Sequence, residues 1–271
     1  MLVQRAALCL ALSLLGRVGG LERGGWSVGE EALAGPCTLE RRQFSSLSSD
    51  EFRHEFAAAQ RPLVITHLPS SAFSGRTERE ALLRELGDTR VVLSSANTFS
   101  YTKRSTTLRE YVVGLSPQSP DEGGNASFIL FGDHDRSSGS GWAPFLDAYE
   151  RSGRPLFASR SRGDLVTLSF GIAAGGTGVP FHVHGPAMAE TVWGRKRWFL
   201  SPPGARPDFD GDLSTLQWQM RRTVADDRIL ECTIGADEAI YVPEDWWHAT
   251  LNVGEAVFVS AFTNWAAEEL R

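Results

Sequence analysis

Pro180-Phe181-His182-Val183-His184, followed by Gly194-Arg195-Lys196-Arg197-Trp198 and, much later, by Trp246-Trp247-His248, decides how this sequence reads. Three of the six histidines fall in these stretches. Two are spaced i, i+2. On a β-strand that spacing turns both imidazoles to one face, because side chains alternate with period 2. The third lies in a distant aromatic-rich segment that also reads as strand. One strand giving two ligands and a remote strand giving a third is how a small β-barrel builds a facial metal site in its mouth. Any one of these histidines alone reads as an ordinary core residue; the spacing and flanking sequence together carry the metal-site reading.

Short strand-like runs separated by Gly, Pro and Asp turns continue outward from this stretch, at 165–170, 191–200, 229–233, 238–242 and 256–262. Strands at that spacing predict an all-β sandwich or barrel. Upstream the pattern is mixed. Ser48 and Glu51 form a capping box for a helix running to about residue 59, with Leu47 stapled onto Phe52. A strand follows at 61–66. Thr77 and Glu80 predict a second capping box for a helix over 77–86, with Gly87 at its C-cap. Strands at 91–94 and 128–131, a helix over 107–113 and a helical turn at 145–149 complete this flank. His54, His67 and His134 are isolated and read as surface or structural residues.

The chain of 271 residues suffices for one sizeable domain, and 42% apolar with 22% charged residues is ordinary for a soluble globule. A net charge of -6 argues against general nucleic-acid binding, which needs a basic field. Arg5, the apolar run over 6–15 and the small residues Val18-Gly19-Gly20 predict a signal peptide cleaved after Gly20. The run is shorter than the about 20 residues that cross a bilayer, and no later run is apolar enough to span one. Residues 21–37 show no periodicity and read as a poorly ordered lead. With Cys9 removed in the signal, Cys37 and Cys232 remain. In an oxidising compartment they form either one disulfide, tying the N-terminal segment to the barrel, or two buried thiols. Asn125-Ala126-Ser127 is a glycosylation sequon in an accessible loop.

Arg61-Pro62-Leu63-Val64-Ile65, Phe128-Ile129-Leu130-Phe131-Gly132, the histidine pair, residues 194–203 and residues 241–252 together resemble the JmjC (jumonji) family of the cupin superfamily. The resemblance implies a double-stranded β-helix: two antiparallel sheets closed into a jelly roll, mainly β, with N-terminal helices packed outside. It divides the chain into a signal peptide (1–20), a lead (21–43) and a JmjC/cupin domain (44–271), with a helical flank to about 164 and a barrel core over 165–265. With the signal, it implies the endoplasmic reticulum lumen, secretion being the alternative. The tail over 266–271 is not a Lys-Asp-Glu-Leu signal.

Members of the family typically hold Fe(II) through His-x-Asp/Glu and a distant His, and use 2-oxoglutarate and dioxygen. Carried over, the resemblance makes His182 and His248 metal ligands, pairs Lys196 with 2-oxoglutarate, and sets Asn264 near a position that contacts co-substrate. The departure is His184, which stands where the family has its carboxylate. A neutral histidine does not lower the formal charge of the site as a carboxylate does. Three readings follow. One is a lumenal regulatory protein that keeps the barrel for protein contacts and is weakly catalytic or inactive. A second is an Fe(II)/2-oxoglutarate-dependent hydroxylase of the secretory pathway. A third is a three-histidine thiol dioxygenase.

Overall fold

The computed structural model describes residues 24–132, 134, 137, 140–152, 166–223 and 226–263. The predicted signal segment and Asn264 lie outside them. Twelve strands run through the described residues: β1 (Arg41–Gln43), β2 (Leu63–Thr66), β3 (Arg90–Ser95), β4 (Lys103–Thr107), β5 (Phe128–Gly132), β6 (Val166–Ala173), β7 (Ala187–Trp193), β8 (Lys196–Ser201), β9 (Leu230–Ile234), β10 (Glu238–Val242), β11 (Trp247–Asn252) and β12 (Ala256–Thr263). They form a nine-stranded sheet, ordered β1-β2-β10-β7-β12-β6-β5-β3-β4, and a three-stranded sheet, β11-β8-β9. All pairings are antiparallel except β1 with β2. The two sheets face each other as a double-stranded β-helix. Ala187 and Ala189 on β7, Phe258, Ser260 and Phe262 on β12, Lys196 and Trp198 on β8, and His248 and Thr250 on β11 line one cavity between them. Each set has the period of two that a strand imposes on its inward face.

The predicted strand over 191–200 is two strands. Gly194 (φ 77°) turns the chain between β7 and β8, and a Cβ there would lie 2.2 Å from the Glu255 carbonyl oxygen. The upstream helices form close to where capping chemistry puts them. Ser48 accepts a hydrogen bond from the Glu51 amide, and the turn Ser49–Glu51 continues as a π-helix, Phe52–Ala57. Helix Leu108–Val113 has a complete capping box between Thr107 and Glu110. The predicted turn at 145–149 is the longer helix Trp142–Arg151, whose Trp142, Phe145, Leu146 and Tyr149 are buried at helical spacing.

Two expectations are corrected. Thr77 is not the N-cap of the second helix, which spans Arg79–Leu86 after Glu78. It ends the helix Ala72–Arg76 instead. There its hydroxyl accepts from Trp193 Nε1 (2.9 Å) and donates to the Ser74 carbonyl (2.8 Å), and its carbonyl accepts from Trp26 Nε1 (3.1 Å). Burial between two indoles outweighs capping. The lead segment is likewise ordered over its described part. Trp26 is fully buried, the Ser27 amide donates to Glu255 (2.8 Å), and the Arg197 guanidinium donates to the Leu33 and Ala34 carbonyls (3.3 and 3.4 Å). Burying an aromatic side chain contributes about 2–3 kcal/mol, enough to dock a segment without periodicity of its own.

Gly178 lets the chain lie against β11, since a Cβ there would come 1.8 Å from the Thr250 carbonyl oxygen. Backbone would have to move on one side or the other. Gly178→Ala is therefore expected to cost about 3 kcal/mol or more. Urea unfolding checks this; a loss below about 1 kcal/mol would contradict the close approach.

Candidate metal centre

The site is built by backbone pairing. Residues 176–182 run beside β11, with Asn252 N–H donating to the Thr177 carbonyl and Thr250 N–H to the Val179 carbonyl, both at 2.8 Å. The pairing then slips. Val179 stands opposite Thr250, but His182 stands opposite His248, three steps on one side against two on the other. Such a slip is a bulge, which re-aims side chains. Pro180 falls within it, where a missing N–H removes no bond. Phe181 turns out to pack on Trp218 (centroids 4.8 Å apart) and Phe209 (5.5 Å). His182 and His248 then exchange both backbone hydrogen bonds, at 3.0 and 3.1 Å. The stretch 180–184 is thus an irregular extended segment rather than the regular strand expected. The alternation survives: Val183 is exposed while His182 and His184 both line the cavity.

The three imidazoles meet, with one ring nitrogen from each lying within 4.8 Å of the others. Each Nδ1 faces a backbone carbonyl: His182 to Pro180 (2.9 Å), His184 to Gly185 (2.6 Å) and His248 to Trp246 (2.8 Å). A carbonyl only accepts, so each Nδ1 carries the proton and each Nε2 a lone pair. This fixes tautomer and ring direction, the usual outer-shell support of a metal-ligating histidine. His184 Nε2 and His248 Nε2 are 2.9 Å apart. Two lone pairs at that distance repel unless a cation lies between them. Two nitrogens bound at right angles to one ion, at 2.0–2.1 Å each, would be about 3 Å apart. The donor set fits a divalent ion of the Zn, Fe, Ni or Cu group.

Comparison with known proteins adds the family. No family model matches the chain. It is 42% identical to JmjC domain-containing protein 8 of Rattus norvegicus over 250 residues, covering 88% of this chain and 89% of that protein. It is 41% identical to JmjC domain-containing protein 8 of Homo sapiens over 248 residues, covering 88% and 89%. The chain belongs to the JmjC family. A more distant relative is the lysine-specific demethylase JMJ21 of Arabidopsis thaliana, 29% identical over 82% of this chain but only 25% of its own length.

Within this JmjC cavity, of about 30 Å³, the walls are mostly apolar. Lys196 is 3% exposed, and its Nζ lies 3.3 Å from the centroid of the Phe258 ring. No described residue gives it a carboxylate or a hydrogen bond. Trp198 lines the same cavity, 6.3 Å from the His248 ring, and its buried Nε1 has no partner among the described residues. Phe258 and Trp198 were not singled out from sequence; inward parity with Lys196 and with the 256–262 run was the available signal. Elsewhere, the structure joins Cys37 to Cys232 by a disulfide. Asn125 is exposed in a turn, its Oδ1 accepting from Asn97 Nδ2 (2.5 Å).

Burial sets the protonation of the site. It pushes His182 down to about 4, with the neighbouring His184 and Lys196 adding to the fall. It also lowers His184, and carries His248 well below the ordinary histidine range. Lys196 falls to about 7 for the same reason. An unfolded imidazole protonates near about 6.5. Between that value and about 4 the unfolded chain binds more protons than the fold. The metal-free protein is therefore expected to lose stability as pH falls from about 6.5 toward about 4. Lys196 acts in a second window. Between about 7 in the fold and about 10.4 in the unfolded chain, stability should climb with pH. Lys196→Met is expected to flatten that climb and to raise stability at neutral pH by about 1–3 kcal/mol. Urea midpoints of the metal-free protein across pH check both; an unchanged alkaline slope in the variant would refute the assignment.

Proposed function

We propose that this protein is a metal-binding JmjC-fold protein of the endoplasmic reticulum lumen, acting through contacts with other proteins and not by turning over 2-oxoglutarate. The observation that carries this reading is the cavity. A cavity that holds benzene measures about 150 Å³; this one measures about 30 Å³. 2-Oxoglutarate is larger than benzene, and Phe258 already covers the Lys196 amine. The donor set suits a metal ion, and the small cavity with its covered lysine supports a reading without 2-oxoglutarate.

A bound divalent ion would supply Lewis acidity and open coordination positions. The chain's own residues hold three neutral imidazoles in one tautomer, line the site with Phe131, Phe258 and Phe262, and bury the Lys196 amine beside it. His184 in place of a carboxylate supports the non-catalytic reading. Phe99 and Tyr101 support the protein-contact reading. They are 66% and 62% exposed, their rings 5.3 Å apart, on a loop whose Thr98 hydroxyl donates to the Phe181 carbonyl beside the metal segment. The signal-like residues 1–20 support the lumenal reading.

Lys196, a buried cation without a described counter-charge, favours the second reading, an Fe(II)/2-oxoglutarate-dependent hydroxylase of secretory-pathway proteins. Anaerobic Fe(II) titration followed by 2-oxoglutarate separates the two. One ion per chain is expected, with affinity lost by at least about a hundredfold in a His182→Ala, His248→Ala double variant. Millimolar 2-oxoglutarate is expected to produce no charge-transfer band and no succinate. Phe258→Ala, which uncovers the lysine, is expected to bind 2-oxoglutarate. Succinate formation by the parent protein would overturn the proposal.

A further inference from the structure

The Cys37–Cys232 bond differs at its two ends. Cys37 is exposed, whereas Cys232 is fully buried on β9 among Trp198, Leu200, Ile240 and Trp246. An incoming thiolate therefore approaches from the side of the exposed residue, Cys37, and not through the core around Cys232. The Arg41 guanidinium lies 3.6 Å from both sulfurs. A disulfide needs no cation beside it; a thiolate leaving group does, because a neighbouring guanidinium lowers the basicity of the sulfur and speeds its departure. Glu238 is the carboxylate paired with Arg41, and it tempers that charge.

The segment carrying Cys37 is also held without the bond. Thr38 N–H donates to the Glu231 carbonyl (2.8 Å), Glu231 N–H to the Thr38 hydroxyl (3.0 Å) and Gly35 N–H to the Thr233 hydroxyl (2.9 Å). Residues 41–43 are paired into the large sheet through β2. The disulfide can therefore open while the segment stays docked and the two sulfurs stay in register to close again.

We propose that Cys37–Cys232 is a thiol-exchange site, through which the protein forms mixed disulfides with thiols of its compartment. A thiolate attacks Cys37 Sγ and forms a new S–S bond to it. The Cys37–Cys232 bond breaks, and its electron pair leaves on Cys232 Sγ as a thiolate held by Arg41. A second thiolate attacks the incoming sulfur or Cys232 attacks Cys37 again. The first outcome leaves the protein dithiol and the two thiols joined as a disulfide; the second restores the starting state. Cys232 stands opposite Trp198 across the β8–β9 pair, and Trp198 lines the metal cavity. The exchange site is thus one residue layer from the metal centre.

Peptide mass spectrometry after acid quenching tests this on the full protein. Reduced glutathione serves as the small-thiol probe and a Cys-x-x-Cys oxidoreductase as the protein-thiol probe. Adducts with either are expected on Cys37 and not on Cys232, and they name the source of the thiol. Arg41→Ala is expected to slow glutathione-driven opening roughly tenfold, Arg41→Lys to stay within about threefold of the parent, and Glu238→Gln to speed it about threefold. The opposite signs at 41 and 238 separate a charge effect from simple loosening of the segment, which would speed opening in both. Adducts on Cys232, no adduct with either probe, or faster opening in Arg41→Ala would overturn the proposal.

Discussion

The structure depends on a reciprocal pair of backbone hydrogen bonds between His182 and His248, at 3.0 and 3.1 Å. These two residues are far apart in sequence, and nothing in their side chains brings them together. The pairing does so through Gly178, which lets backbone meet backbone, and through the slip at Pro180, which turns Phe181 outward and His182 inward. Once that register is set, three carbonyls each take an Nδ1 proton and three Nε2 lone pairs are left facing one another. The metal site is a consequence of main-chain geometry before it is a property of the ligands.

Electrostatics then shapes what the site can do. Three neutral imidazoles leave a divalent ion with its full charge, and a lysine beside it adds more. An apolar cavity does not tolerate such charge without compensation. The protein relieves part of it by letting Lys196 lose its proton near neutrality, where burial brings its value to about 7. A lysine whose proton is weakened by burial, and which is covered by Phe258, is poorly suited to hold a dicarboxylate. Histidine in place of an acid at position 184 and the ring of Phe258 over the lysine both support the proposed reading of a metal cradle that does not turn over 2-oxoglutarate.

Much of this was legible in the sequence, because short-range rules governed it. The period of two around His182 and His184, the Ser48 cap, the helix that starts at Leu108 and most of the strand runs after residue 165 each follow from local chemistry. The family motifs added the jelly roll. What escaped was set by distant contacts. Thr77 reads as a cap but is held between Trp26 and Trp193. The lead segment has no periodicity because it borrows its order from the barrel, through Glu255 and Arg197. The placing of Phe258 over Lys196 was hidden for the same reason. An inward aromatic on β12 looks like any core residue until Lys196 on β8 is found beneath it.

X-ray absorption spectroscopy of the Fe(II)-loaded protein tests the central claim most directly, because the multiple-scattering signal of imidazole counts the histidines on the ion. Three imidazoles from one chain, reduced to two in a His184→Ala variant, is the predicted result. A first shell with fewer than three imidazoles, or a spectrum unchanged by removing His184, would contradict it.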